Sequence, residues 1–222
     1  QKGVENPFLL QEECIANLDK YLKDRFPRTY INKKNRAVEL FSLCMGLSEV
    51  KDFLPNEIVE ICKKILKGKR ILSLGDDNGS LSEVITSFGA ECIGIEYDEK
   101  QVKIAHTGVY SEDGKPNMNV MQGDVWDLVI DDTELMKKLN VEKFDAVISE
   151  NLFNSGSDGT IPNTSRLEKI MPLLKKYTDN SNLQHLVDSA SAEYDWFPIF
   201  VLRIQKMLKD RGVQIHNDVN VA

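Results

Sequence analysis

From Lys69 onward the chain alternates short apolar runs with stretches of helical periodicity, and this alternation restricts its fold more than any other feature. RILSL (70–74), ECIGIEY (91–97), MNVMQGD (118–124) and FDAVISE (144–150) have the length and apolar content of strands. Between them, SLSEVITSF (80–88), DEKQVKIAHTGV (98–109) and DDTELMKKLN (131–140) place apolar residues at helical spacing, and Gly89 and Gly108 stand at or near two of the helix ends. Strands separated by helices of about a dozen residues pair in parallel, with helices covering both faces. The predicted fold class is therefore α/β, with a doubly wound, mostly parallel, Rossmann-like sheet.

The pattern continues toward the C-terminus. SRLEKIMPLLKKY reads as a helix bent at Pro172 and NLQHLVDSAS (182–191) as a strand. YDWFPIFVLRIQKMLKDRG is predicted to be a helix ending at Gly212, followed by a final strand or hairpin in VQIHNDVNV. The region before Lys69 differs in texture. Leu10, Cys14, Leu18, Tyr21 and Leu22, then Val38, Leu40, Phe41 and Cys44, fall at helical spacing, and Pro55 suits the first turn of a third helix in DFLPNEIVEICKKIL. The expected division is residues 1–68 as an N-terminal helical extension and 69–222 as the sheet domain.

At 222 residues the chain is long enough to bury a real core. Its net charge of −7 supplies no global field toward nucleic acid or anionic membrane, which makes a nucleic-acid partner less expected without excluding a local basic patch. KKNR (33–36) and KKILKGKR (63–70) read as solvated helix faces. Cys14, Cys44, Cys62 and Cys92 have no metal-ligand spacing, so no metal site is expected. Reduced thiols, the lack of a basic-then-apolar leader in QKGVENPFLLQEE, and the absence of any apolar run near 20 residues predict a soluble, cytoplasmic protein with no membrane association.

The chemistry is expected at the turn after the first strand, in ILSLGDDNGSLSEVI. Ligands of open α/β sheets sit outside the carboxyl ends of the strands, where strand order reverses. Glycines there let a backbone approach its ligand, and N–H groups at the following helix start favour anionic groups. The dinucleotide fingerprint GxGxxG laid on Gly75 lacks glycine at Asp77 and Ser80. The pattern GxGxG keeps Gly75 and Gly79 and lacks only the middle position, Asp77. Glu96 ends the next strand, where a carboxylate can accept both ribose hydroxyls of an adenosine.

With these residues the segment from about Lys69 to Ser189 resembles the class I S-adenosylmethionine-dependent methyltransferases. ILSLGDDNG is similar to their glycine-rich motif and IGIEYD to the segment with the ribose-binding acid. VMQGDVWDL is similar to the adenine-contacting segment, and FDAVISENLF to the fourth strand and the loop facing the transferable methyl. The resemblance implies S-adenosylmethionine as cofactor, held by Gly75, Asp76, Asp77, Gly79, Glu96, Tyr97, Asp124, Val125 and Glu150. The implied reaction is in-line displacement of the sulfonium methyl by a small-molecule or protein acceptor. Glu150 and Asp188, each at a predicted strand end, are the candidates for a catalytic base. GIEYD together with ISE is also similar to protein arginine methyltransferases, whose glutamate at the position of Glu150 holds the guanidinium. Their second loop glutamate has no counterpart in NLFNSGSDGTIPN.

Two positions depart from the family pattern. Ser73 stands where an acid commonly precedes the first glycine, and Asp77 replaces the middle glycine. These departures keep open a degenerate, cofactor-free fold acting as a partner-binding module. A nicotinamide-dependent oxidoreductase is the other alternative. His106, His185 and His216 read as packed or surface histidines, and Trp126 as either a pocket wall or core.

Overall fold

The computed structural model describes residues 51–109, 111, 114–128, 134–139, 143–150, 152, 200 and 203–217, together with Lys20 and Cys44. The chain divides into two compact units, residues 1–69 with 83–91, and residues 70–82 with 92–222. In the first unit, helix α1 (Asn56–Leu66) buries Ile58, Ile61, Cys62, Ile65 and Leu66. That spacing is one stripe of a 3.6-residue period, with Lys63 and Lys64 left on the exposed side. Pro55 stands at the helix boundary, just ahead of the first turn predicted to contain it. Cys44 and Cys62 are both fully buried and share a thiol hydrogen bond, and that bond, with burial behind it, pushes the Cys44 thiol well above its usual range.

The second unit is built on a five-stranded sheet of order β3-β2-β1-β4-β5. Its strands are β1 (Arg70–Leu74), β2 (Glu91–Glu96), β3 (Val120–Gln122), β4 (Phe144–Glu150) and β5 (Leu208–Asn217). The β1–β4, β2–β3 and β4–β5 pairs are parallel. This order reverses direction at β1, the arrangement of a doubly wound, Rossmann-like sheet. Between strands run α2 (Ser80–Ser87), α3 (Glu99–Thr107) and α4 (Glu134–Leu139).

β1 from Ile71 to Leu74 is wholly buried, as expected of a central parallel strand covered on both faces. Leu72, Leu74, Ile95, Trp126, Phe144, Val147, Phe200 and Ile204 share one core cluster. Trp126 and Phe200 meet edge to face at 5.5 Å. At the opposite end of the strands, the Asp145 carboxylate accepts hydrogen bonds from the Arg70 backbone N–H and the Lys209 ammonium, both at 2.8 Å, so one side chain ties three strands.

One expectation is overturned. The helix predicted to run to Gly212 gives way at Gln205 to a single 3-10 turn, and β5 begins at Leu208. The register then slips: Leu208 pairs with Phe144 and Val213 with Ala146. Gly212 serves this irregularity, because a Cβ there would crowd Leu208 Cβ at 2.9 Å and the Phe144 carbonyl at 3.1 Å. A glycine inside a strand often marks such a bulge, and in sequence it is indistinguishable from a helix stop. The helix predicted at 165–177, the strand at 182–191 and any terminal hairpin lie outside the described residues. Among the described residues no helix is long and apolar enough to cross a membrane, and no group of three His, Cys, Asp or Glu could hold a metal ion.

Candidate functional site

Three left-handed residues shape the turn after β1: Gly75 at φ 69°, Asp77 at 51° and Gly79 at 84°. The N–H groups of Gly75 and Asp76 both donate to the Ile95 carbonyl, at 2.9 and 3.2 Å, and the Gly79 N–H donates to the Asp76 carbonyl at 2.9 Å. The middle position of the GxGxG pattern thus has the backbone of a glycine while carrying an aspartate. Aspartate tolerates this region better than most side chains but still at a cost. Asp77→Gly is expected to leave stability unchanged or raise it by up to about 1 kcal/mol, relieved strain being set against the extra freedom of the unfolded chain. Urea melts of both proteins check this, and a loss above about 1 kcal/mol would assign the Asp77 side chain a structural role.

Glu96 closes the turn from the neighbouring strand. Its Oε2 accepts the Asp77 N–H at 2.9 Å and its Oε1 the Asp98 N–H at 2.7 Å. Each carboxylate oxygen retains acceptor capacity for a hydroxyl. Asp98, not Glu96, caps α3, accepting the Lys100 N–H at 2.8 Å. Tyr97 between them is 63% exposed. The Glu96 carbonyl also accepts the Gly123 N–H at 2.9 Å, which brings the end of β3 beside the end of β2.

Other predicted residues lie deeper. Asp76, one of the residues implied to hold the cofactor, is only 2% exposed. Its Oδ1 accepts the Ser73 hydroxyl at 2.7 Å and the Ser82 N–H at 3.1 Å, while Oδ2 is buried with no partner. Burial pushes its pKa up to about 6; the Ser82 and Ser73 hydrogen bonds hold it down in part, and the Glu96 charge raises it further. Gly79 answers a packing need, since a Cβ there would meet Val120 at 2.8 Å, Asn117 at 3.0 Å and Ala105 at 3.2 Å. The start of α2 is already served from within the chain: Asn78 Oδ1 accepts the Ser80 N–H, and Asp76 accepts that of Ser82.

Asp124 is buried, and its Oδ1 accepts the Trp126 N–H at 2.8 Å, opening the 3-10 turn Val125–Leu128. Val125 and Trp126 belong to the core cluster, which decides for Trp126 between core and pocket wall. Glu150 ends β4 opposite Asn217 of β5. Asp188, His185 and the loop 153–165 lie outside the described residues.

Two features escaped the sequence reading. Gly94, two residues before Glu96, is where the buried Asp76 carboxylate rests, and a Cβ there would collide with Oδ2. His216 is not merely packed: its Nδ1 lies 2.7 Å from Ser149 Oγ and its Nε2 3.1 Å from Gln214 Oε1. An amide oxygen only accepts, so Nε2 carries a proton, and in the neutral imidazole Nδ1 accepts from the Ser149 hydroxyl. Leu74, Ser149 and His216 occupy one row across β1, β4 and β5, one residue short of Gly75. The available signal was Gln214 and His216 at period two on a strand.

No protein-family model and no curated protein sequence matches the chain. Solved methyltransferase structures do. Protein arginine methyltransferase 10 of Arabidopsis thaliana is 26% identical over 40% of this chain and 23% of its own, with a TM-score of 0.29. A SAM-dependent methyltransferase from Agrobacterium tumefaciens is 11% identical over 83% of this chain and 46% of its own, at 0.41. Magnesium protoporphyrin IX methyltransferase of Synechocystis PCC 6803, with bound SAM, is 19% identical over 75% and 72%, at 0.32. The chain spans less than half the length of the first two. The fold class rests on the strand order itself.

Proposed function

We propose that the chain binds S-adenosylmethionine at the carboxyl ends of β1 and β2 and transfers its methyl group to a small-molecule or protein acceptor. One observation carries the reading. In a sheet of order 3-2-1-4-5, a left-handed turn at the end of β1 is tied to a strand-end carboxylate, Glu96, whose oxygens can still accept hydroxyls. Gly75, Asp77, Glu96 and Tyr97 would hold the cofactor, with the segment Asp124–Val125 beside them. When bound, the cofactor supplies a methyl group on a good leaving group, so the chain's contribution is placement of the acceptor. Where that acceptor starts protonated, the Ser149–His216 pair joins Glu150 and Asp188 as a candidate for taking the proton. The Asp76 carboxylate at the start of α2 disfavours the pyrophosphate of a dinucleotide, which sets the nicotinamide reading behind this one.

Glu96→Ala is expected to weaken S-adenosylmethionine binding by about 1.5–3 kcal/mol, the range for hydrogen bonds to a charged group. Isothermal titration calorimetry of both folded proteins tests this. Equal affinities would take Glu96 out of the site. No heat and no thermal shift from wild type at millimolar cofactor would leave the partner-binding module as the reading.

A further inference from the structure

We propose that Asp76 is the buried counter-charge of the cofactor turn and gives up a proton when a cationic ligand occupies that turn. The proposal rests on the reading above, with S-adenosylmethionine as the ligand. Strand end, turn and helix start all converge on this residue. Its backbone N–H joins that of Gly75 on the Ile95 carbonyl, its own carbonyl takes the Gly79 N–H, and its Oδ1 holds Ser73 of β1 and Ser82 of α2. Oδ2 has no hydrogen-bond partner and lies against Gly94, where no side chain intervenes.

A buried carboxylate without a counter-ion is costly, and such groups take up a proton or acquire a partner charge. The groups around Asp76 offer none. β1 and α2 bring the neutral hydroxyls of Ser73 and Ser82, and the titratable groups facing it from β2 are the Glu96 carboxylate and the Cys92 thiol. Among the described residues no cation acts on Asp76. Glu96 is also bonded to the Asp77 N–H of the same turn, so a cation seated there acts on both carboxylates. Without ligand, Asp76 shares its charge with a proton at mildly acidic pH, its pKa standing at about 6. On binding, the carboxyl O–H bond breaks, its electron pair stays on Asp76, and the proton passes to buffer.

The test is calorimetry of the whole chain with S-adenosylmethionine in two buffers of different ionisation enthalpy. At pH 6 about half a proton per binding event should be released, and affinity should fall about tenfold between pH 7.5 and pH 5. Asp76→Asn should bind without that release and with little pH dependence. Release that persists in Asp76→Asn would place the proton elsewhere and overturn the assignment. Should that variant not fold, Ser73→Ala removes a hydrogen bond to the carboxylate and should move the release maximum to higher pH; an unmoved maximum also overturns it. Heat independent of buffer, with equal affinity at both pH values, removes the role of Asp76 and leaves the cofactor site standing. Absence of binding at every pH removes both.

Discussion

Gly94→Ala is expected to destabilise the protein by about 3–5 kcal/mol, combining overpacking with disturbance of hydrogen bonds to a buried carboxylate. Gly94 has no left-handed φ, so conformational freedom is not the reason for glycine here. Space is. An added Cβ would collide with Asp76 Oδ2 and approach Asp76 Cγ and Cβ to 2.8 and 2.9 Å. Asp76 cannot swing aside cheaply, because Ser73 and Ser82 hold its Oδ1 and the residue is 2% exposed. Gly94 cannot retreat either: its N–H donates to the Asn119 carbonyl at 3.1 Å, and it sits in register with Val120 of β3. The partner substitution identifies the cause. An Asp76→Ala background removes the clashes with Oδ2 and Cγ and leaves only the Cβ contact at 2.9 Å, so the two changes should couple by about 2 kcal/mol, within the range for contacting residues. Denaturant melts of the four proteins measure this. A Gly94→Ala cost below about 1 kcal/mol, or purely additive effects, would mean that the turn relaxes freely around Asp76.

The Gly94–Asp76 contact also marks where sequence reasoning stops. β1 and β4 were legible to the residue, because RILSL and FDAVISE are apolar runs bounded by charge or turn chemistry. The acids of the turn were legible as a pair but not as individuals. Sequence gives Asp76 and Asp77 the same loop environment, whereas the left-handed backbone at Asp77 leaves that residue exposed while Asp76 is buried. What separates them is a glycine in another strand, and nothing local ties position 76 to position 94. Asp124 shows the same limit from the other side. The family resemblance implies ligand contact for Asp124, and within the chain its Oδ1 opens a 3-10 turn, a use of aspartate equally common in turns. A lone histidine on a strand carries no motif, so nothing in the sequence singles out His216. Only the parallel register placed it opposite Ser149.

The pH dependence of stability follows from the same buried carboxylate. Its pKa in the folded chain, about 6, lies above the ordinary 3.8. Between these values the folded state binds more protons than the unfolded state, so this group's contribution to stability falls as pH rises. The penalty is complete above about pH 6, where it amounts to about 3 kcal/mol, and it fades as pH drops toward the unfolded value. That direction is opposite to the usual behaviour of carboxylates that accept backbone N–H groups. Total stability therefore mixes contributions of both signs, and the difference between wild type and Asp76→Asn isolates this one. The amide keeps an oxygen for Ser73 and Ser82 but turns an N–H donor toward Gly94, an unsatisfied group costing about 1–3 kcal/mol at every pH. Asp76→Asn should accordingly be near or above wild-type stability at pH 7.5. Measured against wild type, it should lose about 2 kcal/mol on going to pH 4.5. Urea midpoints across that interval decide the matter. A difference that stays constant with pH would show that Asp76 keeps its ordinary proton affinity despite its burial, and would bring the proton release proposed for ligand binding down with it.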